Sequence, residues 1–399
     1  MNKTKLILFA SLCLAACTTK QDVMTEAFMQ AEEIVENIKQ PVFFDTEYRI
    51  TDFGAVEGDS TALYHENINK AILTCHENGG GHVVVPQGTF YTGPITLLSG
   101  VDLHLEEGAT LKFSTNPTDY FPAVISRWEG IDCYNAHPLI YAYKADNIAV
   151  TGKGTLDGQG SKNRWWYMKG GRHAVEGMPD QITSGGRARL FGAAENELPV
   201  EDRVMTPEDA LRPPFVSFMH CNNVRIEGVT IKNSPFWVIH PIFCQDVVVR
   251  GVTVNSHGPN NDGCDPESCK NVLIEDCVFD TGDDCIAIKS GRNNDGRKWN
   301  IPSENFVVRR CQMKDGHGGV VIGSEISGGF RNLYVEDCEM DSPNLDRIVR
   351  IKTNVHDIYV SNCEFNNVSK AATRINGLTE KVKFDNLKIN GELVEYNGI

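Results

Sequence analysis

The chain has 399 residues, 41% of them hydrophobic and 23% charged, and a formal net charge of −15. That apolar content is ordinary for a soluble protein with a long, thin core, and the negative charge argues against non-specific binding to nucleic acid. The length alone suggests two or three domains, a count that the internal repeat described below reduces to one.

Residues 1–17 begin Met-Asn-Lys-Thr-Lys, pass into an apolar run from Leu6 and close on Leu14-Ala15-Ala16-Cys17. The run is too short to span a bilayer, and its basic start and small-residue end predict a signal peptide. The closing residues resemble a bacterial lipoprotein box. That likeness implies a lipid on Cys17 and an exported protein anchored in the periplasm or outer membrane of a Gram-negative bacterium, with ordinary secretory cleavage as the alternative. Residues 18–45 read as a tether in which Met24, Ala27, Phe28, Ala31, Ile34, Val35 and Ile38 recur at helical spacing. Such a helix can cap the open end of a solenoid or pack beside it.

Residues 46–399 read as one domain. Tyr48 to Ala55, a helix around His65 to Asn78 and the strand-like Gly79 to Pro86 lead into early strands at Val101–Leu105 and Ile148–Val150. From Trp165 to Pro214 the strand pattern lapses into a long excursion, expected to wall one side of a cleft. Its Trp165-Trp166 pair either stacks on sugar rings or anchors the loop.

Beyond the excursion the chain repeats itself. Segments of the form x-V-x-[IVF]-x-x-x-x-[IVFM] start at Asn223, Asp246, Asn271, Asn305, Asn332, Asp357 and Lys381, spaced 23, 25, 34, 27, 25 and 24 residues apart. Short alternating strands at that period, with no intervening helix pattern, predict an all-β parallel β-helix with one coil per repeat. Cys277, Cys311, Cys338 and Cys363 each fall six residues after their anchor, which predicts an inward stack of small apolar side chains. Cys264 with Cys269, or Cys221 with Cys244, remain open as disulfides. Metal-ligand spacing of the C-x-x-C kind is absent.

Within this register Asp283 and His317 each lie twelve residues after their anchors, so they share a face where coils stack about 4.8 Å apart. Asp262, Asp283 and Asp284 then form a carboxylate cluster. Repulsion within it keeps one group protonated beside ionised neighbours, as glycosidic cleavage requires. A calcium site is the other reading of three carboxylates. Arg350 and Lys352 flank Ile351 on a strand, pointing two cations to one face, which suits a carboxylated sugar. Residues 289–352 hold eleven Lys/Arg against nine Asp/Glu, so this stretch has shed the field that would repel a polyanion.

Asn260-Asn261-Asp262-Gly263, Gly282-Asp283-Asp284-Cys285, Gly316-His317-Gly318 and Arg350-Ile351-Lys352 together resemble the signature set of glycoside hydrolase family 28, the polygalacturonases. The resemblance runs from about Asp52 to Asn354. It implies a right-handed parallel β-helix and inverting hydrolysis of α-1,4-galacturonosyl bonds in pectin, with no cofactor and no metal. On this likeness Asp283 is the general acid, Asp262 and Asp284 activate water, His317 supports them, and Asn260, His240, Lys289, Arg350 and Lys352 bind substrate. Phe236 to Pro241 and Val320 to Glu325 are similar to bacterial members that act from chain ends. Asn261 stands where Thr is common, and only 47 residues follow Lys352, about two coils, which bears on end-capping, stability and one cleft wall. A pectic oligo- or polysaccharide is the expected partner of a monomer. A calcium-dependent polysaccharide lyase and a non-catalytic pectin-binding surface lipoprotein are the competing expectations.

Overall fold

The structure, a computed structural model, describes residues 20–341, 344, 345, 347, 349–351, 355–366, 373–375, 379–389 and 391–394. Two parallel sheets run the length of the described solenoid, and a third face carries two shorter parallel sheets, so most coils give one short strand to each face. The first two sheets have eleven strands among the described residues. The winding is right-handed, the hand that twisted strands impose on parallel crossovers.

The repeat anchors have a structural meaning beyond marking the period. Asn223, Asp246, Asn271, Asn305 and Asn332 all have positive φ, between 53° and 62°, a left-handed conformation that Asn and Asp tolerate better than other side chains. Their side chains form a ladder along the axis: Asn271 Nδ2 donates to Asp246 (2.9 Å), Asn305 to Asn271 (2.9 Å) and Asn332 to Asn305 (2.8 Å). Five residues on, a second left-handed position at Gly228, Gly251, Asp276, Arg310 and Asp337 turns each coil from the first sheet into the second. Two such residues per coil explain why strands of only a few residues can bend into a closed triangle.

Val, Ile, Phe and Cys side chains fill the interior as one continuous core from Ile50 to Leu387. Cys277, Cys311, Cys338 and Cys363 belong to it, as their spacing predicts. Cys221, Cys244 and Cys269 form a second column on consecutive coils, through Gln245 N to Cys221 O and Lys270 N to Cys244 O. All of these are free thiols, Cys264 included, so neither open disulfide forms.

Two helices settle the ends and the flank. Helix α1, Lys20–Asn37, lies beside the solenoid rather than over its end. Met24, Ala27 and Ala31 pack on Val248, Leu273, Val307, Tyr334 and Tyr359 of the first sheet's outer face. Helix α2, His65–Glu77, is the cap: Ile68, Ala71, Ile72 and Cys75 enter the main core at its N-terminal end. Each of the two fully buried isoleucines contributes about 1.5–3 kcal/mol.

The excursion is folded rather than structureless. It holds helix α3, Gly186–Glu195, and several 3-10 turns, at Trp166–Lys169 among others. Trp165 is buried edge-on to Tyr120, and Trp166 donates its indole N–H to Ser234 O at 2.9 Å, so the pair anchors the excursion. A second insert, an antiparallel hairpin of Val124–Trp128 and Ile131–Asn135, stands beside it.

Candidate active site

The third sheet comes in two four-stranded pieces, joined only by isolated bridges from Ile239 to Cys264 to Ile286 and from Ile242 to Glu267 to Lys289. The coil at that junction carries Asp262. Gly263 N donates to Asp284 O (2.9 Å) and Cys264 N to Cys285 O (3.0 Å), which sets Asp262 beside Asp284 on adjacent coils. Asp262, Asp283 and Asp284 each bring a carboxylate oxygen within 4.8 Å of the others. His317 Nδ1 lies 3.0 Å from Asp283 Oδ1, and Asp284 N donates to the same oxygen at 3.1 Å. The four residues whose register predicted a shared face are therefore together. Asp262 and Asp284 are buried at its floor, while Asp283 and His317 face the opening.

The turns holding these groups are locked from behind. Asn261, fully buried, accepts from Ser256 Oγ (2.6 Å) and Gly258 N (2.9 Å) and donates to Phe236 O (3.1 Å). Buried Arg212 donates to Pro259 O (2.7 Å) and to Asn260 Oδ1 (3.0 Å), and so orients Asn260, which lines the cleft. Gly318 serves the protein rather than a ligand: a Cβ there would collide with Val321 and come within 3.0 Å of Asp284 Oδ1. His257, beneath the three motif turns, sits 3.0 Å from Asp280 and 3.6 Å from Asp315.

Behind the carboxylates lies a buried ionic network. Lys289 reaches Glu325 (3.1 Å), Asp265 (3.5 Å) and Asp262 (3.8 Å), with its ammonium 4.3 Å from the centre of the Trp237 ring. Burial, then the Asp265 and Asp283 charges, push Asp262 well above the usual carboxylate range, and burial does the same to Asp265. Glu325 goes the other way: burial opposes its charge, but Lys289 and Arg292 outweigh it. A cation could bridge the three aspartates by distance, yet the Lys289 ammonium already supplies positive charge beside Asp262.

One expected substrate contact is placed differently. His240 is fully buried, with Nε2 2.9 Å from Glu267 and its ring edge-on to Trp237, so it supports the floor instead of lining the cleft. Lys289 is nearly as buried but does reach the cleft surface. Arg350 stands in the outward column Ala287, Val321, Arg350, two coils beyond Asp284. Lys352 lies outside the described residues.

The excursion lines the opposite wall of the cleft, a cavity of about 220 Å³, as its sequence predicts, but the sequence reading missed the hairpin's share in that wall and the residues that form it. Glu129 from the hairpin tip, with Lys169 and Arg187 from the excursion, lines it. Arg187 pairs with Glu129 at 2.8 Å, and Arg292 with both Glu129 (3.5 Å) and Glu325. The hairpin had a signal: two alternating runs separated by Glu129-Gly130, a two-residue turn ending in glycine.

Comparison with known proteins identifies the family. The profile of Glycosyl hydrolases family 28 matches residues 204–392. A solved structure titled as a hyperthermoactive exopolygalacturonase from Thermotoga maritima is 41% identical, with a TM-score of 0.83 over 94% of this chain and 82% of that one. A "Probable polygalacturonase" of Vitis vinifera is 30% identical over 78% of this chain and 59% of its own length. An exo-poly-alpha-D-galacturonosidase of Dickeya chrysanthemi is likewise 30% identical, over 72% of this chain and 49% of its own. The chain thus spans half to three-fifths of the length of those two curated relatives.

Proposed function

The chain belongs to glycosyl hydrolase family 28, and we propose that it hydrolyses α-1,4-galacturonosyl bonds of pectin, acting from chain ends. The observation that carries this reading is the triple-aspartate cluster with His317 against Asp283. Asp283, the most open of the three, protonates the leaving oxygen, and His317 holds its carboxyl in place. Asp262 and Asp284, paired on the floor, hold and deprotonate the attacking water. Burial makes Asp262 a strong proton acceptor once ionised, and Lys289 at 3.8 Å favours its ionised form. Nearest-oxygen spacing within 4.8 Å does not itself separate water attack from a direct nucleophile. The presence of two carboxylates besides the acid supports water attack and inversion. Arg350, with Lys352, receives a galacturonate carboxylate.

End action is supported by the cleft walls, since the hairpin and the excursion confine the carboxylates to a small cavity. The export signal and lipid on Cys17 belong to the same reading and rest on residues 1–17, outside the described part. Among the described residues no helix is long and apolar enough to cross a membrane.

The test is release of reducing ends from polygalacturonate in the presence of a chelator, with proton NMR of the first product. The hydrolase reading expects reducing ends, no UV-absorbing unsaturated product and a β-anomer first. An unsaturated product lost on chelation would favour the calcium-dependent lyase. Binding without any cleavage would favour the non-catalytic lipoprotein, and an α-anomer first would make Asp262 or Asp284 a nucleophile.

A further inference from the structure

Nearly every cation around the cleft already has an acidic partner. Lys289 is surrounded by Glu325, Asp265 and Asp262, Arg292 by Glu325 and Glu129, and Arg187 Nη2 holds Glu129. Lys169 differs. Among the described residues no carboxylate lies within 4.0 Å of its ammonium, although it lines the cavity and feels the charges of Glu129 and Asp283. Arg187 Nε, next to it on the same wall, is buried and without a hydrogen-bond partner among the described residues.

A partly buried ammonium with no carboxylate in contact has lost hydration that the more distant charges of Glu129 and Asp283 only partly offset. Burial accordingly holds Lys169 below the usual lysine range. Its position is nevertheless fixed, because it ends the 3-10 turn begun by Trp166, whose indole is pinned to Ser234 O. That anchor lies on coils before the one carrying Asp284. Arg350 lies two coils after it, about 9.6 Å along the axis at 4.8 Å per coil. Arg187, on the same wall as Lys169, pairs with Glu129, which is bonded to Arg292 on Asp284's own coil, so this cationic wall faces the carboxylates across the cleft, apart from Arg350. A galacturonan carries one carboxylate per sugar, so the sugars on either side of the cleaved bond each need a receptor, and the cluster of aspartates would otherwise repel both.

We propose that Lys169, together with Arg187 Nε, binds a uronate carboxylate across the cleft from Asp283, at a receptor separate from Arg350. The site takes a free uronic acid and discriminates against its methyl ester, since an ester offers neither charge nor a bidentate acceptor. This inference rests on the hydrolase reading, and the experiment separates the two.

Binding of digalacturonate is measured by calorimetry to Asp283→Asn protein and to the same protein carrying Lys169→Met as well. Loss of a charge-assisted contact predicts about ten- to hundredfold weaker binding. Lys169→Gln should match Lys169→Met, Lys169→Arg should recover most of the affinity, and the methyl ester should bind all variants alike. In the otherwise wild-type protein, Lys169→Met should raise KM for polygalacturonate much more than it lowers kcat. Equal digalacturonate affinity with and without Lys169, in proteins that melt alike, would overturn the proposal. A wild type that releases no reducing ends, with an Asp283→Asn protein that does not bind digalacturonate, would overturn the hydrolase reading and this inference with it.

Discussion

The coils from Asn223 to Ile351 and the two inserts, the hairpin of Val124–Asn135 and the excursion of residues 165–214, build opposite sides of one cleft by different physics. In the coils each reacting group is positioned by backbone register: ladder hydrogen bonds set Asp262 beside Asp284, and the Asn271–Asn305–Asn332 stack fixes the phase of successive turns. In the inserts position comes from ion pairs between residues far apart in sequence, such as Arg203 with Asp295 (2.6 Å), Arg127 with Glu267 (3.3 Å) and Arg187 with Glu129 (2.8 Å). The three reacting carboxylates come from the coils, and the inserts add Lys169 and Arg187 across from them. Chemistry and substrate selection should therefore be separable by mutation.

The sharpest test of that separation is Asp283→Asn, a nearly isosteric change that removes only the transferable proton. It should lower kcat by at least about 10²–10⁴ while leaving the melting temperature and oligosaccharide binding close to wild type. Near-normal turnover would remove Asp283 from the acid role and weaken the case that the coils hold the chemistry.

Lys289→Met probes the junction between the two regions, because Lys289 neutralises Asp262 and Asp265 of the coils and, through Glu325 and Arg292, is linked to Glu129 of the hairpin. Removing one partner of a buried ionic group costs about 3–5 kcal/mol. The sign of its pH dependence follows from Glu325, whose depressed pKa contributes stability above its unfolded value, lost as pH falls through the folded one. Without Lys289 that contribution shrinks, so the deficit against wild type should be larger at pH 8 than at pH 4. Denaturant midpoints at the two pH values give the answer, and an equal deficit at both would show that Lys289 acts through packing on Trp237 alone.

Asn305→Ala should break the coils without touching the inserts. Asn305 bonds both Asn271 and Asn332 and sits at φ 62°, so alanine forfeits two ladder contacts and strains the backbone, about 2–3 kcal/mol in sum. Activity of the folded fraction should be unchanged. A fall in kcat at full folding would mean that the amide ladder, and not only the motif turns, sets the carboxylate geometry.

The same division decided what could be read from sequence. Period, anchor and phase are local and repetitive, so Asp262, Asp283, Asp284 and His317 were legible as neighbours, and the Cys277 to Cys363 column as core. Glu129, Lys169, Arg187 and Arg212 were not, because no periodicity links residue 129 to 187 or 212 to 260; only the folded ion pairs and hydrogen bonds do. His240 was misplaced for a related reason. Its motif resembles a substrate-contacting segment, and strand alternation points it outward, but Glu267 from the next coil and Trp237 cover it, contacts that no local pattern shows. Helix α1 showed its apolar stripe in sequence, yet the surface it covers, Val248 and Leu273 among others, exists only once coils stack.

The smallest effect lies on the outer face of the coils. Glu275 is held by Arg250 (2.6 Å) from the preceding coil and by Arg309 (2.7 Å) and Arg310 (2.6 Å) from the next. Burial raises its pKa, but the hydrogen bonds from Arg309, Arg250 and Arg310 outweigh burial and leave it lowered. A depressed carboxylate contributes stability above its unfolded value, near 4.5, and loses it as pH falls through the folded value. Glu275→Gln should therefore melt slightly below wild type at pH 7 and converge with it at pH 3. High salt should narrow the gap at pH 7, since Arg250 and Arg310 are over one-third exposed and their pairs are screened. Activity and KM should not move, because these bonds join coil to coil on the face turned away from Lys169 and Glu129. A change in KM in this variant would mean that strain on the coils reaches the insert wall, and the division between the two regions would fail at its weakest point.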